Sequence, residues 1–321
     1  RSPDAADSII LFLQGVLMPR QHYRLLPDAD SAGIRLDQFV PAQVPELSRT
    51  FLRKIVDLGG VHVGGRRVRK CSTPVRCGEL VEIHLDGLPL EIFSLSPQQI
   101  LFQDRFLLAV NKPAGVETQP TPARYKGTLY EALLRHLHNP YRPLDQPELG
   151  MVQRLDRETS GVMVFSIHAK AHGALTKIFT ARQVEKTYLA LVQGRPAAAA
   201  GEIRSHLGRS RHGNKMLSVQ QGGKEAITRY RLLETFADSS LIELELLTGR
   251  SHQIRVHCSE QGFPLLGDSL YGGPSHWQRP IPRQMLHAAR LCLTHPITGA
   301  VLELQAPLPE DMATLLADLR A

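Results

Sequence analysis

A short polar turn followed by an apolar run places tight limits on how this chain can fold. The turn, Gln153 to Gly161, holds Asp156 between two arginines, and the run Val162 to Phe165 follows directly. Turn residues before a buried strand tend to hold side chains at the rim of a core. A carboxylate there can attack an electron-poor carbon, and flanking cations would keep it ionised. The alternative is a solvated surface turn, which is the commoner identity of an isolated acid between arginines.

Composition and charge narrow the class of protein. The chain has 321 residues, of which 42% are hydrophobic, so it can form one large domain or a large and a small one. A net charge of +7 favours a polyanionic partner. No apolar run approaches the roughly 18 residues that span a membrane. Only Arg1 provides a basic residue before the stretch Ile9 to Met18, which we therefore interpret as a strand or helix rather than a signal peptide.

The spacing of cysteines and histidines predicts no metal site. His252 and His257 lie five apart, which would place them on different faces of a helix. Neither a P-loop nor a G-x-G-x-x-G fingerprint is present, so we expect chemistry without a metal or a cofactor. The cysteines form no C-x2-4-C pair, which indicates a reduced, cytoplasmic protein, and they are Cys71, Cys77, Cys258 and Cys292.

Residues 31–90 have the pattern of a small separate domain, preceded by an extension over residues 1–30. A first short helix begins near Leu36. Ser48 is a plausible N-cap for a second helix, which Gly59 and Gly60 end. A tight hairpin at 61–68 and a strand at 80–85 follow.

This small domain carries charge of one sign. Residues 49–76 contain eight basic residues and one acid. A solvated face is the alternative, but so compact a unit favours phosphate binding. The candidate RNA-binding residues are Arg49, Arg53, Lys54, Arg66 and Arg67. The pattern resembles the RNA-binding domain first named from a small-subunit ribosomal protein, the S-four type.

Residues 91–321 are expected to form a second domain after a linker at 88–99. Strands dominate, with helices interspersed irregularly, which favours an α+β fold with a mainly antiparallel mixed sheet rather than a doubly wound fold. The strands are expected at 106–110, 162–167, 184–192, 227–236, 241–247, 286–293 and 301–304, and the helices at 128–138, 169–182, 251–261 and the C-terminus. Loops are expected at 197–200 and 207–214, and the second contains the RNA-binding candidate Arg209.

Four segments of this second domain resemble motifs of the RluA-type pseudouridine synthases. They occur in order and span much of residues 105–310. Segment 111–115 resembles the N-K-P-x-G turn, and 154–161 the R-L-D-x-x-T-S-G signature. Segment 186–190 resembles the K-x-Y-x-A strand, and 249–257 the G-R-[ST]-H-Q-I-R-x-H segment. The resemblance implies isomerisation of uridine to pseudouridine within RNA, and it implies a pseudouridine synthase fold without a cofactor.

The resemblance also implies roles for single residues. Asp156 matches the essential aspartate, which would attack covalently or stabilise a cationic sugar. Arg250 matches the arginine that pairs with this aspartate, and a structural salt bridge would be compatible with that role. Tyr188 matches the tyrosine that lies against the uracil, where its ring could stack and its hydroxyl could help remove the C5 proton.

Two further residues are candidates for contact with RNA. Arg154 could occupy the gap that a flipped base leaves in the RNA stack. Lys112 could bind phosphate or lie in solvent, and the sequence favours neither. Many family members have histidine where this chain has Gln153, so a catalytic histidine is not expected at that position.

Alternatives of other classes remain open at this point. A non-catalytic RNA-binding protein of the same fold is one, although the set of Asp156, Tyr188 and Arg250 argues against it. A nucleosidase or glycosidase would need a second carboxylate, and Glu158 is the near neighbour. We expect a monomer that binds ribosomal RNA or transfer RNA, with ribosomal RNA favoured because of the attached small domain.

Overall fold

The chain forms two compact units in a computed structural model that describes residues 19–210, 215–277 and 279–321. The first unit comprises the described residues up to Leu95 together with residues 119–136. The second comprises residues 96–118 and the described residues from Leu137 onward. The predicted element at Ile9 to Met18 lies outside the described residues, as do residues 211–214 of the predicted loop.

The first unit packs helices against a four-stranded sheet whose strand order is β1-β4-β2-β3. Its elements are β1 (Gln21–Leu25), α1 (Leu36–Gln43), α2 (Arg49–Leu58), β2 (Val61–Val63), β3 (Arg66–Arg67), β4 (Val81–Leu85) and α3 (Leu129–Leu137), which ends one residue into the second unit. The core lies between α1, α2 and one face of the sheet, where Leu36, Leu52, Ile55 and Ile83 are buried.

The ends of α2 are where the sequence predicts them. The hydroxyl of Ser48 accepts a hydrogen bond from the Phe51 amide at 3.3 Å, which satisfies a free N–H at the helix start. Gly59 follows the helix with φ +95°, a left-handed conformation that glycine adopts without steric penalty. By contrast, the sequence does not predict β1. This strand lies in the expected extension and pairs antiparallel with β4.

Residues 119–136 belong to the first unit although they lie beyond its sheet in sequence. The backbone amide of Tyr125 donates to Leu58 O at 2.7 Å, and Arg67 Nη2 donates to Thr121 O at 2.6 Å. A Cβ atom added at Gly60 would lie 2.8 Å from Ala123 O, so this close approach requires glycine. The segment therefore packs directly on the sheet.

The second unit is built on one sheet of eleven strands among the described residues. Its longest path runs β11-β10-β12-β13-β9-β16-β8-β6-β5, with β17 paired to β16 and β7 to β8. The strands are β5 (Ile100–Gln103), β6 (Leu107–Lys112), β7 (Gly150–Met151), β8 (Ser160–Ser166), β9 (Val184–Gln193), β10 (Ala200–Arg209), β11 (Met216–Ser218), β12 (Lys224–Thr235), β13 (Ser239–Leu246), β16 (Leu286–Thr294) and β17 (Val301–Gln305).

Helices and a small hairpin complete this unit. The helices are α4 (Ala169–Thr180), α5 (Gln253–Glu260) and α6 (Glu310–Arg320), and the hairpin strands are β14 (His276–Trp277) and β15 (Arg279–Pro280). Nearly all sheet pairings are antiparallel, whereas β8 and β16 pair in parallel. This mixed sheet with irregularly placed helices confirms the predicted α+β class. No helix of the described residues has both the length and the apolar character to cross a membrane.

One glycine fixes the start of β8. Gly161 has φ +119°, and a Cβ atom there would lie 2.2 Å from Ala288 O on β16. Because backbone atoms cannot yield as a flexible side chain can, the parallel crossing of β8 and β16 requires glycine. The strand that follows Asp156 therefore enters the sheet at one defined point.

Candidate active site

The turn that carries Asp156 is held by hydrogen bonds to its backbone. Thr118 Oγ1 donates to Leu155 O at 2.7 Å, and the Thr159 amide donates to Asp156 O at 3.0 Å. Arg283 Nη1 donates to Glu158 O at 3.0 Å. The Asp156 side chain keeps 29% of its surface exposed. The turn thus presents a partly accessible carboxylate on a fixed backbone, as the sequence predicts for the rim of a core.

Lys112 lies beneath this turn and not on the surface. Its side chain is fully buried, and Nζ donates to Pro113 O, Arg157 O and Thr159 O at 2.8–2.9 Å. Both predictions for Lys112, phosphate contact and solvation, are wrong, because all three N–H bonds point at backbone carbonyls. Burial lowers the pKa of Lys112 to about 7, while nearby carboxylates favour its charged form.

The ion pair of Asp156 is formed with Arg255. Arg255 Nη1 lies 3.0 Å from Asp156 Oδ2. Its Nε and Nη2 hold Asp268 in a bidentate pair at 2.7 and 2.8 Å, and Asp268 is almost completely buried. Burial opposes the charge on Arg255, but its hydrogen bonds to Asp268 and the two carboxylates raise the pKa of the guanidinium. The arginine is thus aimed at Asp156 by a second carboxylate.

The predicted pairing of Asp156 with Arg250 is wrong. Arg250 Nε donates instead to the backbone oxygen of Glu225 at 2.9 Å. Arg250 precedes α5, whereas Arg255 is in the helix and its side chain reaches Asp156. The segment G-R-S-H-Q-I-R contains both arginines. Both are arginines of the same motif, so the sequence offers no signal that separates them.

Tyr188 lies on β9 close to Asp156. Its side chain is only 8% exposed. Burial and the charge of Asp156 raise the pKa of the Tyr188 phenol, so the hydroxyl stays protonated at neutral pH. A protonated phenol can donate a hydrogen bond and offer a flat ring for stacking.

His252 and Tyr271 add two groups that the sequence does not single out as site residues. His252 Nε2 lies 3.8 Å from Asp156 Oδ2, and Nδ1 lies 2.8 Å from Tyr271 Oη. The guanidinium of Arg255 lies over the Tyr271 ring, 5.0 Å from its centroid. Burial lowers the pKa of His252, although the charge of Asp156 acts in the opposite direction. Asp156 therefore lies beside a guanidinium and an imidazole, and Tyr271 contacts both of these groups.

A buried polar network fixes the helix that carries Arg255. Gln253 Nε2 donates to Ile227 O and Thr228 Oγ1, each at 3.0 Å, and its Oε1 accepts from the Arg250 amide. His257, which is fully buried, lies 2.8 Å from Thr228 and 3.0 Å from Ser205 through its two ring nitrogens. The polar residues of this motif therefore anchor α5 to β10 and β12.

The predicted RNA-binding residues differ in their environment. Arg154 and Arg209 are exposed, and Arg209 ends strand β10 where the sequence predicts a loop. In the first unit Arg67 is half-buried because of its bond to Thr121 O, and burial lowers its pKa. The other four candidates of that unit are exposed, and they are Arg49, Arg53, Lys54 and Arg66.

One group of described residues could hold a metal ion. The ligand atoms of His22, Glu82 and His84, on β1 and β4, all lie within 4.8 Å of one another. The rings of His22 and His84 are stacked with centroids 4.2 Å apart. Because an imidazole lone pair lies in its ring plane, stacked rings do not point at a common atom. Chelation by both imidazoles would require a ring to rotate.

Glu158 is the candidate for a second catalytic carboxylate. Glu158 Oε1 accepts from the neighbouring Arg157 Nε at 2.7 Å. Its backbone oxygen is held by Arg283. The side chain is therefore engaged in a local ion pair.

Comparison with known proteins gives consistent matches. A family model described as RNA pseudouridylate synthase matches residues 106–260, and one described as S4 domain matches residues 34–81. The chain is 39% identical to an uncharacterized RNA pseudouridine synthase of Chloroflexus aurantiacus, covering 89% of this chain and 90% of the relative. It is 35% identical to ribosomal large subunit pseudouridine synthase D of Xylella fastidiosa, and the match covers 97% of this chain and 96% of the relative.

Solved structures show the same relationship. The human RNA pseudouridylate synthase domain containing 4 is 29% identical, with a TM-score of 0.56, and the match covers 70% of this chain and 93% of the human one. The human RNA pseudouridylate synthase domain containing 1 is 28% identical, with a TM-score of 0.53, and the match covers 71% of this chain and 98% of the human one. These matches confirm the resemblance inferred from the four motifs.

Proposed function

We propose that Asp156, Arg255 and Tyr188 form the catalytic centre of this protein, which belongs to the RNA pseudouridine synthase family and is an isomerase acting on RNA. The observation that carries the proposal is the chain of contacts from Asp268 through Arg255 to Asp156. A carboxylate held in this way is oriented before the substrate arrives, which removes an entropic part of the barrier.

The reaction sets demands that these residues can meet. The glycosidic bond between uracil N1 and ribose C1′ breaks, the uracil turns, and C5 bonds to C1′, after which C5 loses a proton and N1 carries one. Asp156 would supply the negative charge, either as a nucleophile or as a stabiliser of the cationic sugar. Arg255 keeps that carboxylate ionised and aimed.

Tyr188 would contact the target base, and Arg154 would take the place that the base leaves in the RNA stack. The protonated phenol of Tyr188 suits stacking against uracil and donation of a hydrogen bond. Removal of the C5 proton by Tyr188 would first require its own proton to leave, so the raised pKa favours the stacking role. Exposed Arg154 could fill the gap that the flipped nucleotide leaves.

Ribosomal RNA is the substrate that we favour. The relatives from Xylella fastidiosa and Nitrosomonas europaea carry the name ribosomal large subunit pseudouridine synthase D, and the chain covers most of each. In our proposal the domain of residues 31–90 binds structured RNA through its exposed cations, and residues 91–321 carry the catalysis. A cytoplasmic location follows from that substrate. A monomeric state is our working assumption, which light scattering of the purified protein would test.

The decisive experiment is release of tritium from RNA labelled at uridine C5. We expect release from a transcript of large-subunit ribosomal RNA by the wild-type protein. Asp156→Asn should reduce the rate at least about 10³-fold while RNA binding persists, because the substitution removes the charge and keeps the shape. Glu158→Gln is the matched control, which changes a carboxylate two residues away and should retain activity.

Two results would contradict the proposal. Equal release by wild type and Asp156→Asn would remove Asp156 from the mechanism. Equal loss in Glu158→Gln would favour a mechanism with two carboxylates, as in glycosidases.

A further inference from the structure

A partly buried lysine lies two residues from Tyr188 on the same strand and has no counter-ion among the described residues. Lys186 precedes Tyr188 by two positions on β9, and alternate residues of a strand face the same side of a sheet. Among the described residues, Lys186 Nζ has no hydrogen-bond or ion-pair partner. Burial and the nearby Arg182 lower the pKa of Lys186. Lys186 is partly buried, so its ammonium gives up part of its hydration and no anion compensates for that loss.

The surroundings of Lys186 are basic. Gly249 is its neighbour, since a Cβ atom there would lie 3.8 Å from Lys186 Nζ. Arg250 follows Gly249 and uses Nε on the backbone oxygen of Glu225. The carboxylate of Glu225 is shared by Arg182 at 3.6 Å and Arg204 at 3.1 Å. Glu225 is therefore already paired with two arginines and is not the counter-ion of Lys186.

Arg182 itself holds an unusual conformation. Its φ is +59°, in the left-handed region, at the second residue after α4, where glycine is the common residue. Arginine adopts this conformation less readily than glycine, and here it places a positive charge near Lys186. This second observation marks the same corner of the unit.

We propose that Lys186, supported by Arg182 and Arg250, binds a phosphate of the RNA backbone next to the target uridine. Positions 186 and 188 are about 7 Å apart along the strand, which is within the length of one nucleotide. A base stacked on Tyr188 thus brings a flanking phosphate within reach of Lys186. The phosphate supplies the missing counter-ion, and the low dielectric of the site strengthens the pair.

This inference rests on the proposed function, and Lys186→Met tests it. The substitution removes the charge and keeps an unbranched apolar stem. In filter binding of a large-subunit ribosomal RNA transcript, the slope of log affinity against log salt should fall by about 0.7, the value for one phosphate contact on a single strand. In tritium release, KM should rise about tenfold with a much smaller change in kcat.

Thermal unfolding distinguishes phosphate binding from a structural role. Because Lys186 has no partner among the described residues, Lys186→Met should unfold at the same or a higher temperature than the wild type. Lys186→Arg should restore most of the salt slope, since the charge returns. Lys170→Met, which removes an exposed lysine on α4, is the matched control and should leave KM and slope unchanged.

The outcomes separate this inference from the proposed function. An unchanged slope and KM in Lys186→Met, with an active wild type, would overturn the phosphate site alone. A lower unfolding temperature with unchanged KM would assign Lys186 a structural role and also overturn it. Absence of tritium release by the wild type would overturn the proposed function, while a reduced slope in Lys186→Met would still support the phosphate contact.

Discussion

Two sets of basic residues in this protein differ in their burial and in their partners. Lys112 and Arg255, in the second unit, are buried, and the structure points their N–H groups at carbonyls and carboxylates. Arg49, Lys54 and Arg66, in the first unit, are exposed and hold no ion pair within the described part of the chain. The first set holds the Asp156 turn and its side chain, and the second is available to a polyanion.

The difference shows why net charge is a weak guide to RNA contact. A count of basic residues gives Lys112 and Lys54 equal weight, although burial makes one a structural cross-link and the other a surface charge. Removing a residue of the first set should cost stability and activity and spare RNA affinity. Removing one of the second set should have the opposite pattern.

The largest effect is expected for Arg255→Met. Loss of the guanidinium leaves Asp268 buried without its partner, which costs about 3–5 kcal/mol of unfolding free energy. Asp156 also loses the ion pair that orients its carboxylate, so the rate of tritium release should fall about 10²–10³-fold. Urea unfolding and steady-state tritium release measure the two quantities.

A double variant and a neighbouring arginine serve as controls for Arg255. Arg255→Met with Asp268→Asn should recover part of the lost stability, because the unpaired charge is gone. Arg250→Met should lower kcat far less than Arg255→Met. A larger loss of kcat in Arg250→Met would reinstate Arg250 as the functional partner of Asp156.

The sequence predicts local structure well where a single residue decides it. Ser48 and Gly59 bound α2 as expected, because capping depends on residues adjacent in the chain. The sequence instead predicts loops at 197–200 and 207–214, which overlap strand β10. An alanine run and a glycine- and serine-rich stretch lack a strand pattern, and pairing with β11 and β12 forms the strand. The choice between Arg250 and Arg255 escapes prediction for the same reason, because it depends on Asp268 and on the orientation of α5.

The next largest effect is expected for Lys112→Met. Three backbone oxygens around the Asp156 turn would lose their donor, which costs about 3 kcal/mol in unfolding free energy. RNA affinity should be unchanged because Lys112 is fully buried. Urea unfolding and filter binding test the two statements, and a loss of affinity with unchanged stability would contradict the structural assignment.

The pH dependence of stability offers a control for Lys112. Its pKa is about 7 in the folded protein and 10.5 as an ordinary lysine, so the unfolded chain binds more protons between these values. The free energy of unfolding therefore rises with pH across that window because of Lys112, by at most about 1.4 kcal/mol per pH unit. Lys112→Met should lack this rise.

The smallest effect on the folded protein is expected when the exposed cations of the first unit are removed. In the triple variant Arg49→Ala, Lys54→Ala and Arg66→Ala, the salt slope of RNA binding should fall by about 0.7–0.9 for each phosphate that the protein no longer neutralises. The unfolding temperature and kcat at saturating RNA should stay close to wild type, since none of the three side chains is buried. A triple variant at exposed positions elsewhere, Lys170→Ala, Lys177→Ala and Arg231→Ala, removes the same charge. An equal drop in slope in that variant would mean that overall charge, and not the first unit, governs the affinity for RNA.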